Sequence, residues 1–281
     1  MLSKALPLLL ISWLSLAGAG CLTLEKPSQP EPKPLGQILN QQPSEPAIDQ
    51  TQPLPANMER RSLEFADGRT INFILVKLPA DEWQWSLENQ PQEPKTVKRW
   101  REDLNSHLVI NGSYFNESQT PTGFYQSDDQ TSSIGWPDAD SQKNPNSYTG
   151  SITITDGNLK LNYLPQQPGL EPSSATQAFL SFPTLLFDGQ ALVKEDSQKY
   201  ARRTVLAQDS NNIQYIILTE SGVISLYELA NWLAAQPEQF NTAINLDGGP
   251  STGLSYADQN LTLDIPSASI PNIISLKKIS D

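Results

Sequence analysis

The chain is 281 residues long with a formal net charge of −12, from 31 Asp and Glu against 19 Lys and Arg. That balance excludes nucleic acid or an anionic membrane surface as a charge-bound partner, because such binding relies on Lys and Arg to neutralise phosphate. The single cysteine excludes an internal disulfide framework and a cysteine-based zinc site, so stability has to come from a packed core.

Residues 1–20 hold one cation, Lys4, then an apolar run from Ala5 to Leu16, then small residues. The run is shorter than the roughly 20 residues of a membrane span and reads as a secretory signal. Ala17-Gly18-Ala19 offers an ordinary cleavage site, and Ala19-Gly20-Cys21 resembles the end of a lipobox. Cys21 is therefore the expected lipid anchor, the chain's one attachment to a membrane, in the periplasm or cell envelope. Residues 21–57 are rich in Pro, Gln, Glu and Ser with no apolar period, which predicts a disordered tether. Residues 58–281 are the size of one large domain.

Strand signals dominate that domain. The β-branched, apolar run from Arg69 to Leu78 follows an Asp67-Gly68 turn, and Ser151–Thr155 with Leu159–Leu164 flank Asp156-Gly157, a hairpin signal. Phe187-Asp188-Gly189-Gln190 predicts another turn, and Ile213–Thr219 a buried strand. Two helices interrupt the pattern. Lys95–Leu104 places Val97, Trp100 and Leu104 on one face. Ser225–Gln236 opens on the capping box Ser225/Glu228, buries Leu226, Leu229, Trp232 and Leu233, and stops at Pro237. The expected fold is α+β, a mixed and largely antiparallel sheet or sheets with two main helices. Each helix is followed by a short strand and a polar glycine turn, at 108–115 (LVINGSYF) and 243–252 (AINLDGGPST). This echo reads either as a common helix–strand–turn unit met twice or as two turns converging on one cleft.

The second turn matches two motifs that fail on chemistry. A phosphate-binding P-loop from Gly248 to Ser255 needs a Lys where Leu254 stands. Gly249-Pro250-Ser251-Thr252-Gly253 spells a serine-hydrolase elbow. However, the one histidine, His107, precedes it in the chain, and no helix signal follows. His107 reads as a structural hydrogen-bonding residue. What remains is Asn245, Asp247, Gly248, Gly249, Ser251 and Thr252. They read either as a tight turn alone or as a carboxylate beside a nest of amides that admits an anion.

INGSYFN (110–116), FLSFPTLLFDGQ (179–190), RRT (202–204), YELANWL (227–233), INLDGGPSTGL (244–254) and IPNIISL (270–276) together resemble the phosphodiester glycosidase family. They occur in the family's order across nearly the whole domain. The chain departs from the family's usual pattern at Ser113 and Pro250, each where a glycine is common, and at Leu180–Pro183, where a Gly-Gly-Pro segment is common. The resemblance implies an exported hydrolase that cleaves a sugar-1-phosphodiester at the anomeric carbon, with a sugar-phosphate or polysaccharide as partner. A phosphate monoester leaves readily, so the site needs a cation for the developing charge and a carboxylate to attack or to activate water.

On that reading Asp247 is the carboxylate and Arg203 the cation, able to grip two phosphate oxygens, with Arg202 as its understudy. Glu220 is the second carboxylate. Asn111, Gly112, Tyr114, Asn245, Gly248, Gly249, Ser251 and Thr252 are the substrate-binding set. Tyr114, Phe115, Trp136 and Tyr256 are candidates to stack on a sugar face, with core or rim packing the reading for most of them. No cofactor is expected; a divalent metal on Asp128, Asp129, Asp138 and Asp140 is the lesser alternative, since their spacing lacks the glycine and terminal Glu of an EF-hand. The competing function is a non-catalytic, glycan-binding envelope lipoprotein.

Overall fold

The run from Thr70 to Leu78 alternates between two buried faces. Ile74 and Val76 enter one apolar cluster, while Ile71, Phe73 and Leu75 enter another. A strand covered on both sides belongs inside a sheet with layers on either face, and the computed structural model places it so. It describes residues 52–127, 130–144, 147–167, 169–172 and 175–279. The predicted signal, Cys21 and most of the predicted tether lie outside the described residues, as do Asp128 and Asp129.

Seven strands make the largest sheet, in the spatial order β1 (Met58–Glu64), β2 (Thr70–Leu78), β13 (Gln214–Ser221), β12 (Thr204–Asp209), β14 (Phe240–Asn245), β10 (Thr184–Phe187) and β11 (Gln190–Ala191). A second sheet runs β16 (Thr262–Ile265), β15 (Leu254–Ala257), β4 (Leu108–Asn111), β17 (Asn272–Lys278), β3 (Trp83–Asn89). The third runs β6 (Gln130–Thr131), β5 (Tyr125–Ser127), β9 (Gln177–Ser181), β7 (Gly150–Thr155), β8 (Asn158–Tyr163). Neighbouring strands pair antiparallel in all three, as in β12 with β14 and β4 with β17. Both predicted hairpin turns form, with Asp156 and Gly157 at φ 50° and 77°, and Asp188 and Gly189 at φ 50° and 71°. Positive φ at both central residues matches the right-handed twist of the flanking strands.

All three sheets contribute to one core. Ile244 and Leu218 come from the first, Ile110, Leu254 and Ile274 from the second, and Ile152 and Phe179 from the third. Helix α1 (Val97–Leu104), capped by Thr96, lays Val97 and Trp100 on Val109 and Ile273 of the second sheet. The four-residue α2 (Ala139–Gln142) begins on Asp138. Helix α3 (Leu226–Ala234) packs Leu229, Ala230 and Leu233 on the outer face of the first sheet, and its Ser225/Glu228 capping box is fully formed. Among the described residues no helix is long and apolar enough to cross a membrane.

The last six residues of the predicted tether are seated rather than loose. Leu54 packs against the core, the Asn57 side chain bonds the Lys77 carbonyl at 3.2 Å, and Arg60 donates to the Gln52 carbonyl at 2.8 Å. Composition conceals this, because one leucine among prolines shows no period.

Candidate active site

Strands β4 and β14 belong to different sheets, and each ends on an asparagine, Asn111 and Asn245. The two turns that follow them meet. Asn111 is 1% exposed. Its Nδ2 donates to the Asp247 carbonyl at 2.8 Å, while its Oδ1 accepts from the Thr204 hydroxyl at 2.7 Å and the Gly253 amide at 3.3 Å. The Asp247 amide in turn donates to the Gly112 carbonyl at 3.3 Å. The backbone of Asp247 is thus held by the second sheet although its own strand lies in the first.

The glycines allow this closeness. A Cβ on Gly112 would stand 2.4 Å from Asn272 Oδ1, and one on Gly248 would stand 2.8 Å from the Arg202 carbonyl oxygen. Gly249 adopts φ 59°, which any residue with a Cβ resists. Their amides are engaged internally, Gly112 to Asn272 O at 3.3 Å, Gly248 to Asp247 Oδ1 at 2.8 Å and Gly249 to Arg202 O at 2.9 Å. Of the two readings of these glycines, the internal bonds account for them as a tight turn.

Asp247 is half-buried. Burial pushes its carboxyl pKa up, opposed by hydrogen bonds from the Ser251 side chain and the Gly248 amide. Ser251, itself buried, therefore sits in the structure as a partner of Asp247. Thr252 is fully buried with its hydroxyl unpartnered. On the other side of Asp247, the Tyr114 hydroxyl donates to the Phe182 carbonyl at 2.9 Å and accepts from Asn245 Nδ2 at 2.6 Å. Burial, then the nearby Asp247 charge, raises the Tyr114 pKa, so the phenol stays neutral.

Arg203 completes the group. Its Nε and Nη2 donate to the Ile224 and Lys199 carbonyls at 3.2 and 2.7 Å, and its Nη1 lies 3.6 Å from a Cβ position on Gly248. Among the described residues no carboxylate forms an ion pair with it, and burial lowers its pKa, partly opposed by Tyr114. Arg202 diverges from its neighbour: it is 9% exposed and donates Nη1 to the Pro266 carbonyl at 3.2 Å.

Of the expected catalytic set, Glu220 lies elsewhere, and the aromatic, acidic and histidine side chains outside the turns take structural roles. Glu220 is the extra residue where the β13–β2 register shifts between Thr219 and Ser221, and such a bulge re-aims a side chain. Its fully buried carboxylate is gripped by Arg60 at 2.9 and 3.0 Å. Trp136 bonds Leu170 O and meets Phe124 edge-on, while Tyr256 bonds Asp258. Asp138 caps α2 and Asp140 pairs with Lys143. His107 Nδ1 accepts from the Lys278 amide at 3.2 Å, and burial, then Lys278, lowers its pKa.

Beside Tyr114 opens a groove of about 480 Å³ lined by Tyr114, Phe115, Thr122, Ser147, Tyr148 and Phe182. Sequence reasoning did not single out Thr122, Tyr148, the Phe182 carbonyl or Thr204. The signals available were Leu180–Pro183, where the chain departs from the family pattern, and the final residue of RRT.

The profile described as phosphodiester glycosidase matches residues 105–277. No curated protein matches the chain. Among solved structures, the catalytic domain of zebrafish N-acetylglucosamine-1-phosphodiester alpha-N-acetylglucosaminidase, auto-inhibited by its pro-peptide, is similar with TM-score 0.58 and 15% identity, over 83% of this chain and 86% of that one. A hypothetical protein from Synechocystis is similar with TM-score 0.55 and 15% identity, over 78% of this chain and 61% of that one. At such identity the likeness establishes the fold.

Proposed function

This chain belongs to the phosphodiester glycosidase family, and from that premise we propose that it hydrolyses a sugar-1-phosphodiester at the anomeric carbon in envelope or extracellular glycans. The family supports a hydrolase; the bond and the residues are our reading. One observation carries it. A half-buried carboxylate, Asp247, and a guanidinium that pairs with no carboxylate among the described residues, Arg203, both lie near enough to act on the same tyrosine, Tyr114.

In the proposed reaction a water oxygen bonds to the anomeric carbon as the carbon–oxygen bond to phosphate breaks. The phosphate monoester leaves with the bonding electron pair, and Arg203 balances its charge. Asp247 takes the proton from the attacking water, which requires its ionised form. No acid is needed for so good a leaving group, consistent with Glu220 being held by Arg60 instead of facing Asp247. Tyr114 and Phe182 supply apolar faces for a sugar ring, and Asn245 orients the Tyr114 hydroxyl.

The test is hydrolysis of an N-acetylglucosamine-1-phosphodiester, the substrate type named for the zebrafish enzyme. Wild type should release the free sugar, and Asp247→Asn should fall by about 10²–10⁴-fold. Equal turnover by both proteins would refute the assignment. We also propose attachment to the envelope through Cys21; Cys21→Ser should move the protein from the membrane to the soluble fraction, and unchanged fractionation would refute it.

A further inference from the structure

A second depression lies across Thr122 from the aromatic groove. It measures about 520 Å³ and is lined by Asn89, Thr122, Tyr125, Thr131, Ser133 and Ile134 among others. That is within the roughly 300–1,000 Å³ range of small-molecule sites. Among the described residues its lining contains amides, hydroxyls, prolines and one isoleucine, and no Lys, Arg, Asp or Glu. Those residues offer hydrogen-bonding groups for a hydroxyl-rich ligand and carry no charge of their own.

One loop serves both depressions. Phe115 and Pro121 form an antiparallel bridge, Asn116 N bonds Thr120 O at 2.9 Å, and Thr122 N bonds Tyr114 O at 3.0 Å. Tyr114 and Phe115 consequently face the groove, while Asn116, Thr120 and Pro121 face the second pocket. The ridge between them is the Thr122–Tyr148 hydroxyl pair, 2.8 Å apart, and Tyr148 fits there because residue 123 is glycine, whose Cβ would meet its ring at 3.0 Å. Tyr125 is rooted in the main core against Phe179, and Asn89 Nδ2 is anchored on Gln130 at 2.9 Å, so both lining residues are fixed in place.

We propose that this pocket is a distal subsite for an uncharged sugar residue, so that the substrate is an oligo- or polysaccharide chain lying across Thr122 with its phosphodiester at Asp247. The proposal rests on the glycosidase reading. It makes the charged end of the cleft the place of reaction and the neutral end a gauge of chain length.

The test measures binding apart from catalysis. Neutral oligomers of one to four N-acetylglucosamine, glucose or mannose residues are titrated into wild type by calorimetry. Affinity should rise at least about tenfold between one and three residues in one series, as a few added hydrogen bonds would produce. Ser133→Trp, at the exposed mouth, should abolish that gain, and Thr131→Trp, also exposed, should do the same. Length-independent binding in all three series, or a gain that survives both variants, would overturn the subsite. Hydrolysis of the one-sugar phosphodiester by wild type is followed in parallel. Its absence counts against the glycosidase reading and leaves the binding result to stand on its own.

Discussion

Asp247 holds a charge that its surroundings resist. Burial lifts its pKa, so the fold favours the neutral acid. From the ordinary aspartate value of about 3.9 up to the raised folded value, stability falls as pH rises; above the folded value the penalty is complete. Asp247→Asn should therefore melt above wild type at neutral pH, with the gap closing once the pH drops below the ordinary aspartate range. Melting curves across that window check it, and a constant gap would contradict the burial argument. Because the proposed reaction uses the ionised form, the acid limb of kcat/KM should lie above about 3.9. Arg203 gives a second contrast. Arg203→Ala should lower kcat/KM by about 10²–10³-fold. Lys at the same position should recover only part, because an ammonium cannot span two oxygens as a planar fork does. Equal losses in the two variants would remove Arg203 from phosphate binding.

At the scale of elements, the clearest prediction concerns the bulge in β13. Arg60 crosses β2 to reach Glu220, whose side chain is 0% exposed while that of Arg60 is 22% exposed. Arg60→Ala leaves a buried carboxylate unpaired and should cost about 3 kcal/mol, the lower end for a broken buried pair, read as a shifted denaturation midpoint. Local signals made much of this architecture legible. The Ser225/Glu228 box, the Asp-Gly turns and the α1 face appear where short-range chemistry puts them. What the sequence concealed is long-range. Nothing near Glu220 announces a bulge that turns it to Arg60, and nothing near Asn111 says that Thr204 and Gly253 take up its Oδ1. The echo of two Asn-ending strands left open whether their turns meet, and gave no sign that the strands come from separate sheets. Thr122 and Tyr148 were missed because a single hydroxyl contact across 26 residues leaves no pattern in the sequence.

For the whole molecule, the folded body extends further toward the N-terminus than composition suggests. A chain beginning at residue 58 lacks Leu54, Asn57 and the Gln52 carbonyl that Arg60 holds. Such a truncation should be destabilised by about 1–2 kcal/mol relative to one beginning at residue 52, judged from partial burial of one leucine. Equal melting temperatures would show that this segment is not part of the cooperative unit. A last consequence follows from how Asp247 is held. Its carbonyl is fastened by Asn111, 136 residues earlier, and Asn111 by Thr204, 93 residues later. Contacts of such separation form late, after costly loop closure. Hydrolytic competence should consequently return with the slowest phase of refolding, and a chain whose sheets have yet to dock should be catalytically silent.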